Sequence, residues 1–262
     1  YTPIEANITR VLKYGEENEI LIRLGDRTWL PSKAAGSTDK EKEHYLPGIW
    51  DDVFLSFTNK LRINRLLLLP NLKEKKVTAK VRVRNFYPAQ IGYGDKMIDS
   101  IKLKFNIHEK SSGELIASKT LEGISERDKL SVLKTSIEMP QVSPWTPENP
   151  FLYEAEVKLI KNDTVSDVYA DQFGMRDFTR KGKYFYLNGK KTYLRGSNIT
   201  LHRFFEDPDC DQLVWDREWV KELLVDHPKK MNWNAMRICV GIVPDFWYDI
   251  ADKHGIMLQN EW

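Results

Sequence analysis

The sequence predicts a mainly β chain that turns into an α/β arrangement in its last third: an antiparallel β-sandwich, then the opening units of a parallel sheet. Two observations predict the sandwich. Val77, Ala79, Val81 and Val83 alternate with Thr78, Lys80, Arg82 and Arg84, and the same two-residue period returns at Ile101, Leu103, Phe105 and Ile107 and at Tyr153, Ala155, Val157 and Leu159. Such alternation, rich in β-branched residues, marks strands with one buried face, and the Gly, Asn and Pro turns between them mark antiparallel connections. A third observation predicts the change of class. After about Tyr184 strands and helices follow one another in tight succession, which gives βαβ units and a parallel sheet.

Taken in order, Ile20–Leu24 reads as a strand after the turn-like Gly15-Glu16-Glu17-Asn18, and 25–48 is irregular and polar. Asp52–Phe57 and Leu61–Ile63 read as further strands, and Leu66-Leu67-Leu68-Leu69 as a short buried strand ending at Pro70. Phe185-Tyr186-Leu187 meets Asn188-Gly189, the strongest two-residue hairpin signal, with Lys191–Arg195 returning. A helix is expected over Leu213–Lys230, capped by Asp209 or Asp211, with Trp215, Trp219 and Leu223 on its buried face and a kink or end at Asp226-His227-Pro228. The strand Asn234–Val240 follows. Pro244 and Asp245 open a second helix that buries Phe246, Tyr248 or Ile250 and stops at Gly255, and Ile256-Met257-Leu258 is a third strand.

The totals exclude several classes. In 262 residues, 40 Lys and Arg nearly balance 38 Asp and Glu, so no whole-chain field draws in nucleic acid or an anionic membrane. No apolar run reaches the roughly 20 residues that span a bilayer. Cys210 and Cys239 form no CxxC motif and the five histidines are scattered, so the two thiols read as free or packed and no metal or cofactor is expected. Tyr1-Thr2-Pro3 shows no secretory leader, which leaves the compartment open, with the periplasm or exterior favoured over the cytoplasm for a bacterial chain. Asn-x-Thr triplets stand at Asn7, Asn162 and Asn198. Asp207, Asp209 and Asp211 form an acidic loop that reads as solvated cap residues or as a contact for sugar or a cation.

Four stretches together resemble glycoside hydrolase family 2. Gly48-Ile49-Trp50-Asp51-Asp52-Val53-Phe54-Leu55 is similar to the GIWxxVxL closing of that family's jelly-roll domain, with Asn7–Leu12 and Asn18–Leu21 as its lead-in. Trp145-Thr146-Pro147-Glu148-Asn149-Pro150-Phe151-Leu152-Tyr153 resembles WSPENPxLY in its immunoglobulin-like domain. Phe173–Phe178, Phe185–Gly189 and Leu194–Asn198 resemble FGFRxF, FxLNGK and LRGxN, and Met231–Gly255 resembles the start of its catalytic barrel.

The resemblance implies three domains: 1–57, the C-terminal part of a jelly-roll sugar-binding domain; 58–180, an immunoglobulin-like β-sandwich; and 181–262, the N-terminal part of a (β/α)8 barrel. It implies a retaining exo-β-glycosidase acting on β-galactoside- or β-mannoside-type sugars, without a cofactor. Trp50 then reads as domain-interface core and the Trp145–Pro150 corner as structural.

Retaining hydrolysis needs two carboxyl groups about 5–5.5 Å apart. The family's acid, a Glu after Asn, ends the fourth barrel strand, and its nucleophile lies on the seventh. Asn260-Glu261 follows the third strand instead, so Glu261 reads as a strand-end carboxylate more than as the acid. Both catalytic groups are expected beyond Trp262, in a barrel of about 250 residues, and the chain alone is expected to be inactive. Arg237 takes the place of the family's arginine beside the nucleophile, able to hold a carboxylate by two hydrogen bonds. Asn198 and His202, after the first strand, stand where sugar hydroxyls are reached. The expected partner is thus a carbohydrate, not nucleic acid or a membrane. The open edge of a three-strand barrel start also suggests a homo-oligomer. The competing reading is a non-catalytic carbohydrate-binding or scaffolding module.

Overall fold

Alternation in the sequence becomes two packed sheets. The computed structural model describes residues 4–24, 49, 51–88, 98–205, 207–239 and 241–261, His202 by its backbone alone. Seven strands come first: β1 (Leu61–Asn71), β2 (Lys76–Asn85), β3 (Ile98–Glu109), β4 (Leu115–Glu126), β5 (Leu130–Glu138), β6 (Tyr153–Lys161) and β7 (Thr164–Phe173). They form a three-stranded sheet ordered β1-β2-β5 and a four-stranded sheet ordered β4-β3-β6-β7, antiparallel throughout. Val77, Ala79, Val81 and Val83 from one sheet share a core with Leu103, Phe105, Ile107, Ala155, Val157 and Leu159 from the other. Fully burying one of the larger of these side chains contributes roughly 1.5–3 kcal/mol, so this core dominates the stability of the region.

The three stretches with clear alternation are β2, β3 and β6, the interior strands of the two sheets. The Leu66–Leu69 run belongs to β1, one 11-residue strand with a bulge between Ile63 and Arg65. It is not buried on both faces: Leu66 and Leu68 turn to the core while Leu67 and Leu69, on the outer face, are each 41% exposed. Pro70 is tolerated because β1 lies at a sheet edge, and an edge strand can spare a ladder donor.

One buried charge centre crosses the sandwich. Asp99, 6% exposed, accepts from Arg127 at 3.2 Å, from Lys161 at 2.9 Å and from Asn85 Nδ2 at 2.9 Å. Burial pushes its carboxyl upward, but these three donors outweigh that and hold its pKa at about 2.

The chain divides into two compact units, Tyr1–Ser56 and Phe57–Trp262. In the first, Asn18 organises a turn, its Oδ1 accepting from Lys13 N–H and its Nδ2 donating to the carbonyls of Lys13 and Glu16. The expected strand at Ile20–Leu24 is not formed, and neither is the one at Asp52–Phe57, which runs across the unit boundary. Neither finds a neighbouring strand among the described residues to complete a ladder. The segment 25–48 and Trp50 lie outside the described residues.

After β7 come β8 (Phe178–Lys181), β9 (Tyr184–Leu187) and β10 (Lys190–Thr192), an antiparallel meander ordered β10-β9-β8. The β9–β10 turn is the expected two-residue one, with Asn188 and Gly189 at φ 51° and 79°, both left-handed as a type I′ hairpin requires. Then β11 (Asn198–Ile199), β12 (Ala235–Ile238) and β13 (Met257–Asn260) pair in parallel in that order, as the βαβ reading predicts. Two stretches of helix connect them.

The first connection differs from the single helix expected. It begins as α1 (Leu201–Phe205) and a 3₁₀ turn at Leu213–Trp215. Then α2 (Arg217–Lys221), a π turn at Glu222–Asp226 and α3 (His227–Lys230) run on continuously. The cap is Asp216, whose side chain accepts from Glu218 and Trp219 N–H, and not Asp209 or Asp211. The buried face is Val220, Leu224, Val225 and Pro228, and not the tryptophan stripe. Trp219 and Trp215 instead meet Phe204 edge-on and Phe205 face-to-face. Pro228 does not end the helix. It has no N–H, and the turn before it widens so that His227 N–H donates five residues back to Glu222.

The second connection, α4 (Asp245–His254), starts after Pro244 and stops at Gly255 in the left-handed region, as expected. It buries Trp247, Ile250 and Ala251, with Phe246 and Tyr248 only partly covered.

Several motif residues turn out to be joints. Trp145 is buried, donates from Nε1 to the Asp252 carbonyl of α4 at 2.8 Å and accepts through its own carbonyl from Asn188 Nδ2 at 2.9 Å. Asp177 accepts from Leu72 and Lys73 N–H, tying the β1–β2 turn to the meander. A Cβ on Gly255 would stand 2.3 Å from the Pro147 carbonyl oxygen, and one on Gly196 only 1.6 Å from that of Ala235. Glycine is required at both by close backbone approach, and at Gly255 also by its φ of +76°.

Candidate functional site

Parallel pairing fixes which side chains share a face. Asn198 lies in register with Arg237, and Arg237 with Gln259. The neighbouring row is Ile199, Ile238 and Asn260, and its two isoleucines are buried. Successive residues of a strand point to opposite faces. The apolar row therefore belongs to the helix-covered side, where Tyr248 O–H of α4 donates to Asn260 Oδ1 at 3.1 Å. Asn198, Arg237 and Gln259 belong to the other, open side.

Glu261, two residues past Gln259, returns to that open side. Its Oε1 lies 2.6 Å from an Arg237 terminal nitrogen, a short charge-assisted contact. The hydrogen bond to Glu261, and then its negative charge, raise the Arg237 pKa above its already high value. The guanidinium is thus charged at any working pH. Backbone bonds fix the carboxylate's strand end: Glu261 N–H donates to Ile238 O at 3.1 Å and Gly241 N–H to Glu261 O at 3.2 Å.

Asn234 anchors the start of β12. Its Oδ1 accepts from Arg195 N–H at 2.9 Å and its Nδ2 donates to Tyr193 O at 3.1 Å.

Three of the four expected sugar-facing residues, Asn198, Arg237 and Glu261, are thereby brought to the carboxyl ends of the parallel strands. For His202 the backbone lies in α1, which follows β11 directly, and its side chain lies outside the described residues. Sequence reasoning missed that Arg237 and Glu261 pair. The pairing follows from the strand register, which the sequence does not fix: with Arg237 opposite Gln259, the residue two places on shares its face. Gln259 and Asn234 were missed as well.

The acidic loop is folded on itself, with Asp209 N–H donating to Asp207 Oδ1 at 3.0 Å. Burial, followed by Asp207, Asp209 and Asp211, pushes the Cys210 thiol pKa upward, away from nucleophilic use. Cys210 and Cys239 are both free thiols. Among the described residues no group of three or more His, Cys, Asp or Glu is placed to hold a metal ion. A cleft of about 360 Å³ is lined by sandwich-side residues, Lys75, Glu109, Glu114, Phe151 and Tyr153 among them, and by none of β11–β13.

An arginine held by a carboxylate beside an asparagine, at the carboxyl ends of parallel strands, can bind a polyhydroxylated or anionic group. Among the described residues of this cluster the carboxylate is Glu261, and it is engaged by Arg237.

Residues 61–176 match the family model of the glycosyl hydrolases family 2. The whole chain is 26% identical to a β-galactosidase from Lactobacillus delbrueckii subsp. bulgaricus, covering 100% of this chain and 23% of that enzyme. A family 2 glycosyl hydrolase structure from Bacteroides cellulosilyticus superposes with a TM-score of 0.68 at 20% identity, over 83% of this chain and 27% of that one. A β-galacturonidase from Eisenbergiella tayi bound to galacturonate does so with a TM-score of 0.60 at 19% identity, over 78% and 33%. The chain spans about a quarter of the length of the curated relatives it matches.

Proposed function

We propose that this chain, whose residues 61–176 match the family model of the glycosyl hydrolases family 2, is one part of a longer retaining exo-β-glycosidase of that family. The seven-stranded sandwich is its immunoglobulin-like domain, and β11–β13 with their helices open its (β/α)8 barrel. Enzymes of that fold carry their chemistry at the carboxyl ends of the strands, where Asn198, Arg237 and Glu261 meet.

The observation that carries this reading is the Arg237–Glu261 contact of 2.6 Å on the open face. In the whole enzyme Arg237 orients and keeps ionised a carboxylate in the innermost sugar subsite, and Glu261 orients Arg237. Asn198 and His202 reach sugar hydroxyls. The proton donor and the nucleophile come from later strands, so this chain alone does not turn over. The acid protonates the glycosidic oxygen while the nucleophile attacks the anomeric carbon, and water then releases the sugar.

The substrate is a β-galactoside or a β-mannoside. Curated relatives include β-galactosidases and a putative β-glucuronidase, and the Eisenbergiella tayi structure is a β-galacturonidase, so β-uronides belong in the test. Full-length protein is assayed on p-nitrophenyl β-galactoside, β-mannoside, β-glucoside, β-glucuronide and β-galacturonide, with residues 1–262 assayed in parallel. Turnover of the galactoside or mannoside by the full-length protein alone is expected. Turnover by residues 1–262, or none by the full-length protein, would overturn the reading.

A further inference from the structure

Outside the polar row, the loop after β11 presents an aromatic pair. Phe205 closes α1 and Trp215 closes the 3₁₀ turn that precedes α2. Their rings stack 5.3 Å apart and 12° from parallel, and Trp215 keeps 37% of its surface open. A neighbouring pair, Phe204 and Trp219, packs edge-on at 88°, and both rings are half-buried.

Trp215 is held firmly from both sides. Val214 before it is fully buried, and its carbonyl accepts from Trp247 Nε1 at 3.0 Å. Asp216 after it caps α2 through two backbone hydrogen bonds. The ring is thus preorganised, with little rotamer freedom left to lose on contact. A helix that follows a strand begins at that strand's carboxyl end, so Trp215 stands at the same end of the sheet as Asn198, Arg237 and Glu261. Between Phe205 and Trp215 the chain carries Asp207 and Asp209, exposed carboxylates able to accept from hydroxyl groups.

We infer that Trp215, backed by Phe205, is a stacking platform for a pyranose ring on the leaving-group side of the scissile bond. The electron-rich ring face attracts the polarised C–H groups on one face of a sugar, while nearby carboxylates take its hydroxyls. This rests on the β-glycosidase reading above and assigns that site a second subsite.

Full-length wild type, Trp215→Ala and Trp215→Phe are compared on a β-disaccharide with glucose as leaving group and on the methyl β-glycoside of the same glycone, the glycone being the one the p-nitrophenyl panel selects. Trp215→Ala is expected to lower kcat/KM for the disaccharide by about tenfold, the scale of one aromatic contact, mainly through KM. Its activity on the methyl glycoside stays at the wild-type level, and Trp215→Phe retains most of the disaccharide preference. Equal loss on both substrates, or none on either, overturns the inference. Saturation-transfer NMR with free glucose decides it independently of turnover. Saturation in wild type that is lost in a folded Trp215→Ala protein supports the platform. Absent saturation in wild type, or equal saturation in both, overturns it. The absence of any hydrolysis by wild type counts against the glycosidase reading alone.

Discussion

Two carboxylate–arginine contacts divide this molecule into regions with different tasks. In the sandwich, Asp99 is 6% exposed and answered by Arg127, Lys161 and Asn85. On the parallel sheet, Glu261 is 37% exposed and its contact with Arg237, itself 42% exposed, reaches open solvent. The surroundings differ in the same sense. Each sandwich sheet buries its inner face on the other, whereas β11–β13 bury only the row facing the helices. The same ionic chemistry thus stands where water is excluded in one region and where a face is left open in the other, as the recognition role proposed for Arg237 requires. Exposed pairs add little to stability, while removing one partner of a buried pair strands the other's charge.

The contrast can be broken at several points. The largest effect is expected from Phe105→Ala at the centre of the sandwich, fully buried on β3. It should cost roughly 3–5 kcal/mol in urea denaturation; a loss under about 1 kcal/mol would mean the two sheets do not share a core.

Asp99→Ala comes next, at roughly 3 kcal/mol, because Arg127 and Lys161 lose their counter-charge. Its folded pKa of about 2 lies below the ordinary 3.8. Its contribution is thus complete above pH 3.8 and fades as pH falls through about 2. Wild type should lose stability along that limb and Asp99→Asn should lose less. Parallel pH curves would show that the charge centre is not formed.

A smaller change of opposite sign is expected at the junction. Burial first, with Asp249 and Asp171 adding to it against Arg176, raises the Asp252 pKa. A raised carboxyl stabilises the fold below its ordinary pKa, and that stability is lost as pH rises through the folded value. Thermal melts should therefore find Asp252→Asn more stable than wild type at pH 7, with the gap closing towards pH 4.

The smallest stability effect belongs to Arg237→Ala. Its denaturation midpoint should stay within experimental error of wild type, while the full-length enzyme's kcat/KM falls by at least about a hundredfold, as for the loss of a charged group that positions the reacting carboxylate. A destabilised variant with retained activity would reverse the division drawn here.

What the sequence made legible follows from the same contrast. Interior strands β2, β3 and β6 have a neighbour on each side and one wholly buried face, so their alternation is clean. Strands β4, β5 and β7 lie at sheet edges, where residues such as Leu121 and Leu133 are only partly covered, and their period is blurred. Trp215, Trp219 and Leu223 carry a perfect helical spacing, yet two of them belong to an aromatic layer outside the core. Periodicity cannot tell a core stripe from a second layer. The Asp99 centre was invisible because Asn85, Asp99, Arg127 and Lys161 are far apart in sequence and meet only through strand pairing. Arg237, Asn198 and Glu261 were singled out through family motifs. Many other motif positions, Trp145, Asp177, Asn188, Gly196 and Gly255 among them, hold the sandwich, meander and parallel sheet together.

The bond from Trp145 Nε1 to the Asp252 carbonyl joins residues 107 apart in the chain. During synthesis at about 5–20 residues per second, the corner would emerge roughly 5–20 s before its helical partner. The last sandwich strand, ending at Phe173, leaves the ribosome well inside that interval. The indole thus waits on an already assembled sandwich, a landing place with its donor facing outward, until α4 arrives to accept it.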